Sequence, residues 1–282
     1  MPHLAIRGAH ISYEILGEKG PWVALSPGGR RPLEGVKHLA ERVAAAGYRV
    51  LIHDRRNCGA SDLVLEGKES EYEIWAEDLY TLLQQLNATP AFVGGGSSGC
   101  RMSMLLALRH PQAVRGLLLW RVTGGEFAAR RLANQYYLQY IDAAKKGGMA
   151  AVCDSEHFRE RIAQRPSNRQ ILMAMDVARF TQSFSTWADG FLQDAEKPVI
   201  GATTAQLQSL KMPTLIVPGN DKTHARDVGE KAHDIMKGSE LYILFPQQQD
   251  IDIVLPQEWE FKDDELASVF ADFMKRALAQ AA

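Results

Sequence analysis

The sequence predicts a three-layer α/β sandwich around a mainly parallel sheet. Short apolar runs recur along the chain, and segments with helical periodicity separate many of them. Continuous apolar runs of strand length suit strands covered on both faces, and strand–helix alternation favours parallel pairing. A long stretch near the middle carries helical patterns and no strand, which predicts a lobe inserted into the sheet's connections.

In chain order, residues 10–16 alternate apolar and polar like a half-buried strand. Strands are expected at 22–26, 49–53, 91–93, 114–120, 214–217 and 240–245. Helices are expected at 33–46, 72–87, 98–110, 225–237 and 263–279. Between about 123 and 205, three helices are expected. The first spans 134–146 and stops at Gly147-Gly148, the second spans 156–164 and stops before Pro166, and the third spans 177–192. The expected organisation is a core of residues 1–122 and 206–282 with a helical cap over 123–205.

Composition sets broad limits. The chain has 282 residues, 46% hydrophobic and 23% charged, with a net charge of −2. That length buries a sizeable core without disulfides or metals. The near-neutral charge argues against nucleic acid or an anionic membrane as the main partner. Three widely spaced cysteines, Cys58, Cys100 and Cys153, do not read as a disulfide framework. Residues 1–20 hold no apolar run of secretory-leader type, so a cytoplasmic location is expected.

The strongest local signal is Gly95-Gly96-Ser97-Ser98-Gly99, a G-x-S-x-G with a strand before it and a helix after it. A glycine-rich turn whose serine caps a helix shares the local pattern. The strand–turn–helix context favours a sharp turn that exposes the Ser97 hydroxyl, with helix-start N–H groups beside developing negative charge.

Around this motif the chain resembles the α/β-hydrolase superfamily over nearly its whole length. A first apolar strand ends in Ser26-Pro27-Gly28-Gly29-Arg30. Another runs into Asp54-Arg55-Arg56-Asn57-Cys58-Gly59-Ala60-Ser61. The serine elbow follows, its helix ends in Arg109-His110-Pro111, the helical lobe comes next, and a later strand delivers Asp221 in Pro218-Gly219-Asn220-Asp221. The resemblance implies an eight-stranded sheet sandwiched by helices, with Ser97 as nucleophile and Asp221 as acid. The oxyanion hole would come from the N–H groups of Gly29 and Ser98.

Two departures stand out. Pro27 occupies the place where the family's oxyanion loop often has histidine, but a backbone donor does not depend on that side chain. No histidine occurs from Lys237 to Ala282, where the family's catalytic histidine usually lies. A serine hydroxyl needs a base within hydrogen-bond reach. Among eight histidines, His224 is the best placed, three residues after Asp221 at the expected carboxyl edge of the sheet. His53 and His157 are weaker candidates, and His3, His10, His38, His110 and His233 read as surface or packing residues. Asp221 looks too close in sequence to orient His224 in the usual way, so Asp250, Asp252 and Glu258 are considered for that task.

Other residues read as structural. Asp54 and Arg56 are expected to fix the turn after their strand, and Cys100 to pack. Arg30 and Arg31 read as a solvated loop pair that could also meet an anionic substrate. Cap aromatics such as Tyr136, Tyr137, Tyr140 and Phe184 are expected in the core, a few lining a pocket.

The resemblance implies a serine hydrolase of a small or medium ester, thioester or lactone, acting through an acyl-enzyme. The alternatives are a carbon–carbon bond hydrolase, or a ligand-binding protein on a scaffold that lost its histidine. Dehalogenase or epoxide hydrolase chemistry is disfavoured, because those relatives have Asp where this chain has Ser97. No cofactor or metal is implied. The expected partner is a small-molecule substrate rather than nucleic acid or membrane, and a homodimer is left open.

Overall fold

The computed structural model describes residues 1–67, 69–247, 252, 254 and 257–280. Eight strands form one sheet in the order β1-β2-β4-β3-β5-β6-β7-β8. They are β1 (His3–Ile6), β2 (Ala9–Leu16), β3 (Trp22–Ser26), β4 (Arg49–His53), β5 (Ala91–Gly96), β6 (Val114–Trp120), β7 (Thr214–Val217) and β8 (Glu240–Leu241). The β1–β2 and β2–β4 pairs are antiparallel and the remaining pairs are parallel.

The apolar runs are continuous because both faces are covered. Ala24, Leu51, Val93, Leu117, Leu119 and Ile216 face one core cluster, while Val23, Leu25, Val50, Ile52, Phe92, Leu118 and Val217 face the other. The first cluster is closed by α2 (Glu71–Gln85), α3 (Ser98–Arg109) and α10 (Arg226–Ile235), the second by α1 (Glu34–Ala45) and α11 (Asp263–Gln280). Ser70 and Glu73 form a capping box at the start of α2, satisfying N–H groups a helix start leaves open.

The chain leaves β3 toward α1 on one face and leaves neighbouring β5 toward α3 on the other. Such a switch point opens a crevice at the carboxyl ends of the strands. The Gly28-Gly29 loop and Ser97 therefore lie side by side.

Helices fill the connection from β6 to β7. They are α4 (Gly125–Ala133), α5 (Gln139–Cys153), α6 (Glu156–Gln164), α7 (Ser167–Met173), α8 (Val177–Leu192) and α9 (Thr204–Ser209), with a π-helical turn over Asn134–Leu138 joining α4 to α5. α8 buries Phe180, Phe184, Trp187, Ala188 and Phe191, an apolar stripe at helical spacing. Cross-links tie this region to the sheet: Trp187 Nε1 donates to Glu69 O at 3.0 Å, Arg161 Nη2 to Ser61 O at 2.7 Å, and Arg101 pairs with Asp194 at 3.3 Å.

Two expectations need correction. Helix begins at Gly125, nine residues before the expected start at 134, whereas the expected stop at Gly147-Gly148 is where α5 breaks, both glycines leaving helical geometry and Gly148 sitting at φ 64°. The π-turn carries consecutive Tyr136 and Tyr137, both buried. Strand pairing at 240–245 stops after Leu241.

Candidate active site

Ser97 sits between β5 and α3 with φ 54° and ψ −110°. A side-chain-bearing residue there stores on the order of 1–3 kcal/mol of backbone strain. The flanking glycines make it possible. A Cβ at Gly95 would overlap the backbone of Gly99, and one at Gly99 would come within 2.6 Å of the Ser26 carbonyl oxygen. The Ser97 N–H is anchored to Trp120 O at 3.0 Å, and its side chain faces a cavity of about 540 Å³.

His224 reaches that hydroxyl from the loop after β7. Asp221 closes a tight turn on itself, its Oδ1 accepting the N–H groups of Thr223 and His224, both at 2.8 Å. Asp221 and His224 also form an isolated antiparallel bridge. The turn brings the imidazole back onto its own acid: Nδ1 lies 2.9 Å from Asp221 Oδ1 and 3.1 Å from Oδ2. Nε2 lies 2.9 Å from Ser97 Oγ. The expectation that Asp221 is too close in sequence to orient His224 is therefore corrected, because the turn makes the short separation workable. Asp252 is exposed and pairs with Lys222, and Asp250 and the Glu258 side chain lie outside the described residues.

A third charge joins this pair. Arg121, immediately after β6 and at φ 56°, donates to Asp221 Oδ2 at 3.0 Å and to Val254 O at 3.3 Å. Its Nη2 also lies 3.3 Å from His224 Nδ1. Burial opposes ionisation of Asp221, but the hydrogen bonds and charges of His224 and Arg121 prevail and hold its carboxyl well below the usual carboxylate range. Burial, reinforced by Arg121, pushes His224 down to about 4 against the pull of Asp221. The ring is thus neutral near pH 7, and the arrangement suits a tautomer whose Nδ1–H donates to the Asp221 carboxylate while the Nε2 lone pair accepts from Ser97. Sequence reasoning passed over Arg121. Its only signal was a charged residue directly after an apolar strand, at the edge where such folds place their sites.

The two expected oxyanion donors belong to loops that are fastened together. The Ser98 hydroxyl donates to Gly29 O at 2.8 Å, and Arg55 donates to both Ser98 Oγ at 2.8 Å and Gly29 O at 2.7 Å. Gly29, at φ 54°, and Ser97 line the same cavity.

Other expected residues fall elsewhere. Asp54 accepts from the N–H groups of Leu33 and Ala60, each at 2.7 Å, and Arg56 grips Asp78, so both brace the loop after β4. His53 ends β4, is buried, and makes no hydrogen bond to Ser97. His157 lines the cavity from α6. His38 meets Asp263, and His110 stacks on Tyr80. Cys58, Cys100 and Cys153 are free and buried. Arg30 departs most from expectation: its side chain is 5% exposed and paired with buried Glu71 at 2.6 Å, so it is no solvated loop residue. Among the described residues no cluster of His, Cys, Asp and Glu could hold a metal ion, and no helix is long and apolar enough to cross a membrane.

Comparison with known proteins agrees with this architecture. Residues 28–143 match the family model described as alpha/beta hydrolase fold. The uncharacterized hydrolase YraK of Bacillus subtilis (strain 168) is 32% identical over a match that spans 41% of this chain and 42% of that one. The 2-hydroxy-6-oxononadienedioate/2-hydroxy-6-oxononatrienedioate hydrolase 2 of Pseudomonas putida is 26% identical over 83% of each chain. Among solved structures, the enol-lactonase from Burkholderia xenovorans LB400 superposes with a TM-score of 0.63 at 20% identity, covering 99% of this chain and 100% of that one. With its sheet order, its serine at the switch point and these likenesses, the chain has the α/β-hydrolase fold.

Proposed function

We propose that the protein is a serine hydrolase that cleaves a small or medium ester, thioester or lactone through an acyl-enzyme on Ser97. The observation that carries this reading is the 2.9 Å contact between Ser97 Oγ and His224 Nε2, backed by Asp221 on the far side of the ring. A scaffold kept only for ligand binding has no need for a nucleophile, base and acid in register, so the binding-protein alternative loses its main support.

In the proposed mechanism Ser97 Oγ attacks the carbonyl carbon while His224 Nε2 takes the hydroxyl proton. Asp221 accepts from Nδ1–H throughout and stabilises the imidazolium. Charge developing on the carbonyl oxygen is met by the N–H groups of Gly29 and Ser98. His224 returns the proton to the leaving group, then deprotonates a water that releases the acyl group and regenerates Ser97.

The test is labelling with a fluorophosphonate probe, followed by mass spectrometry of the labelled peptide and hydrolysis of short-chain esters. The expected result is modification of Ser97 in the wild-type protein and none in Ser97→Ala or His224→Ala. Folded wild-type protein that takes up no label would overturn the activated-serine mechanism. The carbon–carbon bond alternative would show as labelling of Ser97 without ester turnover.

A further inference from the structure

The cavity has a second polar end. Arg30 follows Gly29 directly, and its side chain is folded under the helices of the β6–β7 connection, between Glu71 and the rings of Tyr136, Tyr137 and Phe184, 5.3 to 5.9 Å from the guanidinium carbon. Glu71 is well served, accepting from Arg30 and also from Tyr137 and Asn57, each of these two at 3.0 Å. Arg30 is not. Nη2 makes the ion pair, while Nε and Nη1 are buried without a partner. Across the same cavity His157 also leaves Nε2 buried and unpartnered.

Buried donors are rarely left open, because each such group forfeits its hydration without return. Arg30 and His157 both line the cavity that Ser97 lines, so an acceptor entering it would meet these two side chains. Burial, with the charges of Arg30 and Arg161, pushes His157 down to about 3, so the ring is neutral and can offer an N–H without adding charge. The guanidinium supplies fixed, planar, charge-assisted donors. Glu156 and Glu160 also line the cavity, but they are exposed and solvent-screened at its α6 rim.

We propose that Arg30 and His157 form an anion subsite that holds a carboxylate on the substrate, so that the preferred substrates are esters or lactones bearing a second, ionised carboxyl group. This rests on the proposed hydrolase reading of the same cavity. Arg30 is then a specificity residue: it holds the far end of the substrate while the scissile carbonyl sits at Ser97. The aromatic rings around Arg30 exclude water and strengthen the pairing, as low local dielectric does for any charge-assisted bond.

The experiment compares mono-p-nitrophenyl glutarate with p-nitrophenyl valerate, similar in length but without the carboxylate. The wild-type protein is expected to show the higher kcat/KM for the hemi-ester. Arg30→Met should lower that value by about 10- to 100-fold, as loss of a charged hydrogen bond does, with the valerate changed less than about threefold. His157→Phe leaves the buried Arg30–Glu71 pair intact and should show the same selective loss at smaller size, which covers the case that Arg30→Met fails to fold. Calorimetry of glutarate binding to Ser97→Ala reads the subsite without turnover, so failure of the subsite and failure of the hydrolase reading give different patterns. Equal wild-type kcat/KM for both esters, parallel loss of both in the variants, or no glutarate binding would overturn the subsite.

Discussion

Two ends of one cavity are finished differently. At one end Asp221, His224 and Ser97 are chained by contacts of 2.9 Å, and Asp221 takes two more N–H groups from its own turn. At the other, Arg30 Nε, Arg30 Nη1 and His157 Nε2 are buried with nothing to bond. The first end is preorganised: its groups already hold the geometry a proton transfer requires, and no ligand is needed to complete it. The second is incomplete by construction and becomes satisfied only when something enters. Strength of internal pairing therefore separates groups proposed to do chemistry from groups proposed to choose the substrate.

The comparison can be broken most severely at the first end. Ser97→Ala is expected to abolish fluorophosphonate labelling and to lower ester hydrolysis by on the order of 10⁵-fold or more, read by active-site titration and initial rates. Asp221→Asn should preserve the fold yet lower kcat by roughly 10⁴-fold, because an amide no longer fixes the imidazole tautomer. Full activity in that variant would mean that another group orients His224.

At the second end, loss of the acid that holds Arg30 should be read in stability. Glu71→Ala strands the Arg30 charge beneath the aromatic rings and is expected to destabilise the fold by about 3–5 kcal/mol, measured by urea denaturation. Glu71→Gln, which keeps the shape and two hydrogen-bonding atoms, should lose less. Equal losses would mean that packing, and not charge, holds this corner.

The smallest effect concerns pH. With His224 held near 4, the acid limb of kcat/KM should fall well below the ordinary histidine value of 6.5. Protonation removes the base, so the rate rises with pH through that limb and is level at neutrality. Arg121→Gln removes a cation that disfavours the imidazolium, raises the histidine pKa, and should move the limb upward by about one pH unit. An unmoved limb would assign the depression to burial alone.

Much of the fold was legible in the sequence, because burial on both faces writes itself as apolar runs: β3 and β5 read directly as strands, and the small residues around Ser97 announced the turn that needs them. The π-turn was not legible, since inserting one residue per turn leaves no mark in composition; Tyr136 and Tyr137 simply look like adjacent core aromatics. Nor was the burial of Arg30, which depends on Glu71 in a distant helix. At the candidate site, Ser97 and His224 could be singled out from motif and position. The contact between Asp221 and His224 could not, because it depends on a turn whose backbone is capped by the same carboxylate that holds the ring.

That turn has a consequence for inheritance. In an arrangement whose acid and histidine hang from separate loops, an insertion or a drifting helix can part them, and each must be kept in place independently. Here both ride on four consecutive residues after β7, so they travel as a portable cassette whose internal geometry is settled locally. The segment after β8 supplies no member of the Ser97–His224–Asp221 chain. What it supplies is support from the backbone: Val254 donates its N–H to Asp221 Oδ2 and accepts from Arg121 through its carbonyl, each at 3.3 Å, so side chains can change there while the main chain must stay.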